Sequence, residues 1–166
     1  MEDVISFASG KFTETVVGFV SAETKELTST YHLVDKKWTP TIKEATVFFA
    51  EILKPMFLNP KRFIILIGGR GSGKTVAKGG HGLINMHDLG RNLMCIREFQ
   101  SSIADSVHAV LSAEVNRLEF DNSDITERTV KFTHNNSMAR FQGLSRNPES
   151  VKSVFGFLDW WVEEAQ

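Results

Sequence analysis

Residues 63–75 read FIILIGGRGSGKT, and this stretch decides the predicted fold. The pattern Gly-x-x-x-x-Gly-Lys-[Ser/Thr] is typical of a phosphate-binding loop, because its glycines allow several backbone N–H groups to converge on a phosphate chain. Such a loop follows a strand and opens a helix. The apolar run over residues 63–67 predicts a strand buried on both faces, and a helix is predicted over residues 73–88. The stretch therefore predicts a nucleotide site on an α/β fold.

The residues of this loop have separate predicted roles. Lys74 is expected to reach the β- and γ-phosphates, and the Thr75 hydroxyl is expected to ligate Mg²⁺. Arg70 either neutralises charge on the γ-phosphate or is an exposed arginine paired with a nearby carboxylate. The predicted nucleotide-binding residues are Gly68, Gly69, Arg70, Gly71, Ser72, Gly73, Lys74 and Thr75. The predicted ligands are ATP and Mg²⁺, and the alternative is a glycine-rich turn that only joins two elements.

Two adjacent carboxylates follow a second apolar run. Residues 157–162 predict a strand, and Glu163 and Glu164 stand at its carboxyl end. Because side chains alternate along a strand, the two carboxylates point in different directions and suit different roles. Glu163 is the predicted Mg²⁺ ligand, through a water, and Glu164 is the predicted residue that orients or deprotonates the attacking water. The alternative is a solvated acidic terminus. Asp159 is unusual in an apolar strand; it lies at an edge or is paired, and it receives no role.

Length and composition fit one globular domain with an N-terminal addition. Residues 1–37 are predicted to be an arm or subdomain, and residues 38–166 the nucleotide-binding domain. The net charge is −1, so a nucleic-acid surface would have to be a local patch. Cys95 is the only cysteine, and no apolar stretch approaches the roughly 20 residues that span a bilayer. The start of the sequence lacks the pattern of a signal peptide.

Outside the loop, the pattern predicts helices and strands that alternate, which favours a parallel sheet. Thr41 and Glu44 form a capping box that predicts a helix. The predicted elements are one or two weak strands or an irregular arm over residues 1–37, a helix over 42–54, a strand over 93–97, a helix from Ser101 or Ser102 to about Leu118, and a hairpin of strands 126–133 and 138–143.

Taken in order, these motifs resemble the ATPase domain of the large terminase subunit, the DNA-packaging motor of tailed bacteriophages. The resemblance covers roughly residues 40–166. Arg70 in the loop and the order of the middle blocks make it specific. The matching blocks are residues 61–75, 95–107, 141–153 and 162–166. Two positions depart from the family pattern: the adenine-side glutamine before the loop has no counterpart, and Gln142 stands where an arginine is usual.

The resemblance implies a P-loop NTPase of the ASCE type, a parallel-sheet sandwich with helices on both faces. It implies ATP hydrolysis coupled to translocation of double-stranded viral DNA into a procapsid, with Lys74, Arg70 and Glu164 as catalytic residues. The implied partners are the DNA, a small terminase subunit, the portal protein and sister subunits in a ring, in the cytoplasm of the infected host and not at a membrane. The chain is expected to be the N-terminal part of a longer or split protein, truncated before the nuclease domain, so nuclease activity is not expected.

Two other functions stay open on the sequence. Residues 163–166, EEAQ, resemble the Asp-Glu-Ala-x box of helicases, which favours a nucleic-acid-dependent ATPase of that type. The other alternative is a nucleotide-binding assembly fragment without turnover. Strand separation would indicate the first, and binding of nucleotide without hydrolysis would indicate the second.

Overall fold

The computed structural model describes residues 15–59, 61–98, 107–144 and 154–163. Within those ranges the chain is a mixed α/β fold with two sheets. No helix there is long and apolar enough to cross a membrane. The elements are β1 Val16–Val20, β2 Leu27–Val34, β3 Lys37–Pro40, β4 Val47–Ala50, a 3-10 turn Glu51–Leu53, α1 Lys54–Leu58, α2 Lys74–Leu89, β5 Asn92–Arg97, α3 Ala109–Arg117, β6 Ser123–Ile125, β7 Thr129–Phe132, β8 Met138–Gly143 and β9 Phe157–Val162.

The first sheet has four strands in the order β3-β2-β1-β4. Strand β1 is antiparallel to β2 and parallel to β4. The β2–β3 hairpin turns at Asp35 and Lys36, which have φ of 49° and 63°, as a tight turn between twisted strands requires. The strands predicted within residues 1–37 are therefore present. The sheet extends from residue 16 to residue 40 and adds β4, so it includes residues on both sides of the boundary predicted after residue 37, and that division stays a prediction.

The helix predicted over residues 42–54 is wrong. Strand β4 occupies the middle of that stretch, and the only α-helical residues near it are in α1, where Pro55 stands in the first turn. Along β4, Val47 and Phe49 are buried while Phe48 is exposed, which is the alternation of a strand. Over so short a run the apolar residues fit the repeat of a helix as well as the alternation of a strand. Pairing with β1 makes the segment a strand.

The second sheet has five strands in the order β6-β7-β8-β5-β9. Strand β5 is parallel to both β8 and β9, which confirms the strands predicted over residues 93–97 and 157–162. Strands β6, β7 and β8 are successively antiparallel, and the predicted hairpin is confirmed. The α/β class is therefore confirmed, but the sheets are mixed and not parallel throughout. Short turns between β6, β7 and β8 can only join antiparallel neighbours.

Helix α2 packs against three neighbours, and glycines allow the close approach. A Cβ atom at Gly79 would lie 3.2 Å from a side chain of α3, and one at Gly80 would lie 3.0 Å from the ring of Phe49. A Cβ atom at Gly82 would lie 2.8 Å from Leu93 of β5. The helix predicted over residues 73–88 is confirmed. Its glycines lower the intrinsic helix propensity, yet they let α2 lie between α3 and both sheets.

The other predicted helix is confirmed over α3, and its predicted start at Ser101 or Ser102 lies outside the described residues. The strand predicted before the glycine-rich loop is wrong: residues 63–69 form no strand. Phe63, Ile65 and Ile67 are 79%, 81% and 93% exposed. An apolar run becomes a strand only where a neighbour pairs with its backbone, and none of the described strands pairs with residues 63–67.

Candidate functional site

The glycine-rich loop leads directly into α2 and leaves its outer surface open. Gly71 and Gly73 have φ of 78° and 76°, a left-handed conformation that glycine adopts without strain. A Cβ atom at Gly69, Gly71 or Gly73 would meet no described atom within 4 Å. The glycines at 71 and 73 therefore serve the backbone path of the loop, and the space beside the loop can admit a ligand.

The first turn of α2 presents backbone donors toward this loop. Gly73 is the N-cap of the helix and no described side chain caps it, so the first-turn N–H groups have no side-chain acceptor at the cap. A helix of 16 residues also places the positive end of its dipole there. Donors and dipole together favour a bound anion such as a phosphate.

Lys74 folds back across the loop. Its Nζ donates hydrogen bonds to Gly68 O at 2.7 Å, to Gly69 O at 2.8 Å and to Ser72 Oγ at 2.8 Å. An ammonium group has three N–H donors, so the loop's own oxygens use all of them. A phosphate oxygen is a charged acceptor and would compete for the same donors, because charge-assisted hydrogen bonds are the stronger ones.

Thr75 and Glu163 meet, although they are 88 positions apart in the sequence. Thr75 Oγ1 donates a hydrogen bond to Glu163 Oε1 at 3.1 Å, and the backbone N–H of Glu163 donates to Ile96 O of β5. The structure thus places the two predicted metal-ligand side chains side by side. A hydroxyl and a carboxylate are hard oxygen ligands of the kind Mg²⁺ prefers.

Thr75 and Glu163 offer two oxygen atoms to an ion. No group of three or more His, Cys, Asp or Glu side chains that could hold a metal occurs in the described parts of the chain. Mg²⁺ gives up its waters reluctantly and is usually held by one or two protein carboxylates together with substrate phosphates. The Thr75 hydroxyl and the Glu163 carboxylate, beside a phosphate-binding loop, are a donor set of that kind.

The structure does not bring every predicted residue into this site. Glu164 lies outside the described residues, so its predicted role rests on the sequence alone. Arg70 is exposed on the loop and makes no ion pair with any residue that the structure describes. Both interpretations of Arg70 stay predictions.

A second polar contact joins α2 to β9, and the sequence pattern did not reveal it. Asn85 Nδ2 donates a hydrogen bond to Asp159 Oδ2 at 3.1 Å, and Arg91 Nη2 lies 3.2 Å from Asp159 Oδ1. The unusual Asp159 is therefore paired. The available signal was the spacing of polar residues along α2, where Thr75, Lys78 and Asn85 fall on one face of an otherwise buried helix.

Buried ionisable groups surround this contact. Burial lowers the pKa of Lys78, and the neighbouring Asp159 carboxylate partly opposes that shift. Burial lowers the pKa of His81 to about 3, with Lys78 and Arg91 adding to the effect. Burial raises the pKa of the Cys95 thiol, which keeps it protonated and unreactive. Two buried ionisable side chains of α2, Lys78 and His81, therefore have lowered pKa values close to the candidate site.

A comparison with known protein families matches the part of the chain that contains the candidate site. The sequence model of the family described as phage terminase large subunit matches residues 60–166, which is more than half of the chain. The match contains the glycine-rich loop, the second sheet and every predicted site residue, while the first sheet precedes it. No individual curated protein matches the chain. The chain therefore belongs to the family of phage terminase large subunits, which gives it a role in packaging viral DNA.

Proposed function

We propose that this chain is the ATP-hydrolysing motor module of a phage terminase, and that it couples ATP hydrolysis to translocation of double-stranded DNA into a procapsid. The observation that carries the proposal is the hydrogen bond from Thr75 to Glu163. This contact joins the glycine-rich loop to the carboxyl end of β9. A P-loop site that hydrolyses nucleotide needs both a phosphate-binding loop and an acidic residue at a strand end. Family membership supplies the context of DNA packaging.

In the proposed site, residues 68–75 hold the ATP phosphates. The first-turn N–H groups of α2 donate to phosphate oxygens, and Gly71 and Gly73 permit the close approach of the backbone. Lys74 exchanges its contacts with Gly68, Gly69 and Ser72 for the β- and γ-phosphates. The lysine is thus held beside the phosphate position before the nucleotide arrives.

Thr75 and Glu163 are the proposed residues that hold Mg²⁺. Thr75 Oγ1 would be a direct ligand, and Glu163 would act through a water. When bound, Mg²⁺ would neutralise charge on the β- and γ-phosphate oxygens. The present hydrogen bond between the two side chains keeps both oxygens at one place, which lowers the cost of organising them when the ion binds.

Glu164 and Arg70 are assigned the remaining steps. Glu164 follows Glu163 in the sequence, and its carboxylate would orient the attacking water or accept its proton. Arg70 lies exposed on the loop and would neutralise charge that develops on the γ-phosphate.

The finer fold is also proposed. In a P-loop NTPase of the ASCE type, residues 63–67 would be a strand that joins the second sheet on its β9 side, with helices on both faces of the sheet. Two observations support this. Strand β9 is an edge strand among the described residues, and its side chains Leu158 and Val162 are exposed together with Ile65 and Ile67. Pairing would cover apolar surface on both segments.

The partners are proposed from the family alone. They are the viral DNA, a small terminase subunit, the portal protein and further copies of the large subunit in a ring, acting in the cytoplasm of the infected bacterium.

Steady-state ATP hydrolysis by the whole chain tests the proposal. We expect Mg²⁺-dependent turnover, and we expect Lys74→Ala and Glu164→Gln each to lower kcat by about 100-fold or more. Lys37→Ala, an exposed lysine of β3, is the matched control and should keep wild-type turnover. Unchanged turnover in both site variants would contradict the assignment, and strand separation would favour the helicase alternative.

A further inference from the structure

Two carboxylates lie on the inner face of β9 and its continuation: Asp159 within the strand and Glu163 directly after its last residue. Side chains alternate along a strand, so Asp159, Trp161 and Glu163 lie on the same face. Trp161 is buried in the core, which shows that this face is the one turned toward the interior. Leu158 and Val162 lie on the opposite, exposed face.

Helix α2 offers matching polar groups on one face. Thr75 and Asn85 are ten residues apart, which corresponds to about 15 Å along a helix. Asp159 and Glu163 are four residues apart, which corresponds to about 13 Å along a strand. The two polar contacts, Thr75 with Glu163 and Asn85 with Asp159, therefore have the same spacing on both elements and run in opposite chain directions.

The contact at Asp159 is charged and has two partners. Its carboxylate accepts a hydrogen bond from Asn85 and pairs with Arg91, which follows the C-cap of α2. Arg91 is held there because its backbone N–H donates to Asn85 O. Burial lowers the pKa of Lys78, and the Asp159 carboxylate partly offsets this because it favours the charged ammonium group.

Strand β9 depends on these contacts because it is an edge strand. Among the described strands it pairs with β5 only, and its other edge has no described partner. A one-residue slip of β9 would reverse which side chains face α2, and would remove Glu163 from Thr75. The charged contact at Asp159 opposes such a slip, since the slip would separate a half-buried carboxylate from Asn85 and Arg91.

We propose that Asp159 is a positioning residue for the hydrolysis site: it fastens β9 to the far end of α2 and so fixes Glu163 beside Thr75. This inference rests on the proposed function. Asp159 touches neither nucleotide nor metal and acts through the strand. A ligand misplaced by about 1 Å can cost about 100-fold in rate, so a contact remote from the chemistry can matter to turnover.

The test compares kcat, KM for ATP and the half-saturating Mg²⁺ concentration in variants of the whole chain. For Asp159→Ala we expect kcat to fall by about 10- to 100-fold, KM for ATP to stay within about twofold, and the half-saturating Mg²⁺ concentration to rise several-fold. Asp159→Asn keeps the shape and an acceptor for Asn85 but loses the charge, so its values should lie between those of wild type and Asp159→Ala. Arg91→Gln should change kcat in the same direction.

Two controls separate positioning from loss of stability. Asp124→Ala removes an exposed carboxylate of β6 and should leave all three kinetic values unchanged. Val130→Ala removes buried methyl groups of β7, so it should lower the unfolding temperature at least as much as Asp159→Asn without altering the Mg²⁺ dependence.

The outcomes are distinct. If the wild type neither binds nor hydrolyses ATP with Mg²⁺, the proposed function is wrong and this inference is wrong with it. If the wild type hydrolyses ATP but Asp159→Ala and Asp159→Asn keep wild-type kcat and Mg²⁺ dependence, the function stands and the inference is overturned. If Asp159→Ala does not fold, Asp159→Asn and Arg91→Gln decide, and wild-type values in both overturn the inference.

Discussion

Two apolar segments flank the candidate site, and their structures differ. Strand β9, on what we call the packed side (α2, β5 and β9), pairs with β5 and turns Trp161 into the core. Residues 63–67, on the open side (residues 63–73), form no strand, and most of their side chains are exposed. The difference shows that an apolar run forms a strand where another strand can pair with it. Strand β9 has β5 beside it and α2 across its face, whereas no described strand lies beside residues 63–67.

The largest expected effect compares a buried and an exposed side chain on these two segments. Trp161→Ala should lower the free energy of unfolding by about 3–5 kcal/mol, because it leaves a large cavity in the core. Ile65→Ala removes an 81% exposed side chain and should cost less than about 0.5 kcal/mol without nucleotide. Denaturant unfolding measures both, and equal losses would mean that residues 63–67 are packed like β9.

A smaller effect on the packed side is a pH dependence of stability. The pKa of His81 is lowered from its ordinary value of 6.5 to about 3, so between those values the unfolded chain binds a proton that the folded chain does not. Its contribution is fully present above pH 6.5 and is lost as pH falls toward 3. Between pH 7 and pH 5 the free energy of unfolding should drop by about 2 kcal/mol from this group.

Replacing the histidine isolates that contribution. His81→Leu should remove about 2 kcal/mol of the difference in unfolding free energy between pH 7 and pH 5. His134→Gln, at an exposed position, is the matched control. If both variants keep the wild-type pH dependence, His81 is not buried as described.

The smallest effect compares two glycines. Gly82→Ala adds a methyl group 2.8 Å from buried Leu93, so overpacking should outweigh the gain in helix propensity and cost about 1 kcal/mol net. Gly69→Ala meets no described atom within 4 Å and should change stability by less than about 0.5 kcal/mol. A stabilising Gly82→Ala would show that α2 and β5 lie further apart than described.

The sequence predicted the parts of the fold that local pattern controls. The loop motif located α2, and long apolar runs located β5 and β9. The contact of Thr75 with Glu163 was also predictable, because in a P-loop site the loop and the acidic end of a later strand lie side by side around Mg²⁺.

The features that depend on distant partners were not predictable. Residues 47–50 fit a helix stripe and a strand equally well, and pairing with β1 decides for the strand. The exposure of residues 63–67 depends on which strands are beside them. The partners of Asp159 stand 74 and 68 positions away, on Asn85 and Arg91, and nothing near Asp159 in the sequence points to them.

Our central proposal is that Thr75, in the first turn of α2, and Glu163, just after β9, form one hydrolysis site with the glycine-rich loop. The most direct test is Mg²⁺-dependent ATP turnover of Glu163→Gln, with Glu127→Gln, an exposed glutamate, as the control. For Glu163→Gln we expect a loss of about 100-fold or more in kcat and a higher Mg²⁺ requirement, and for the control we expect wild-type values. Wild-type kcat and Mg²⁺ dependence in Glu163→Gln would contradict the proposal.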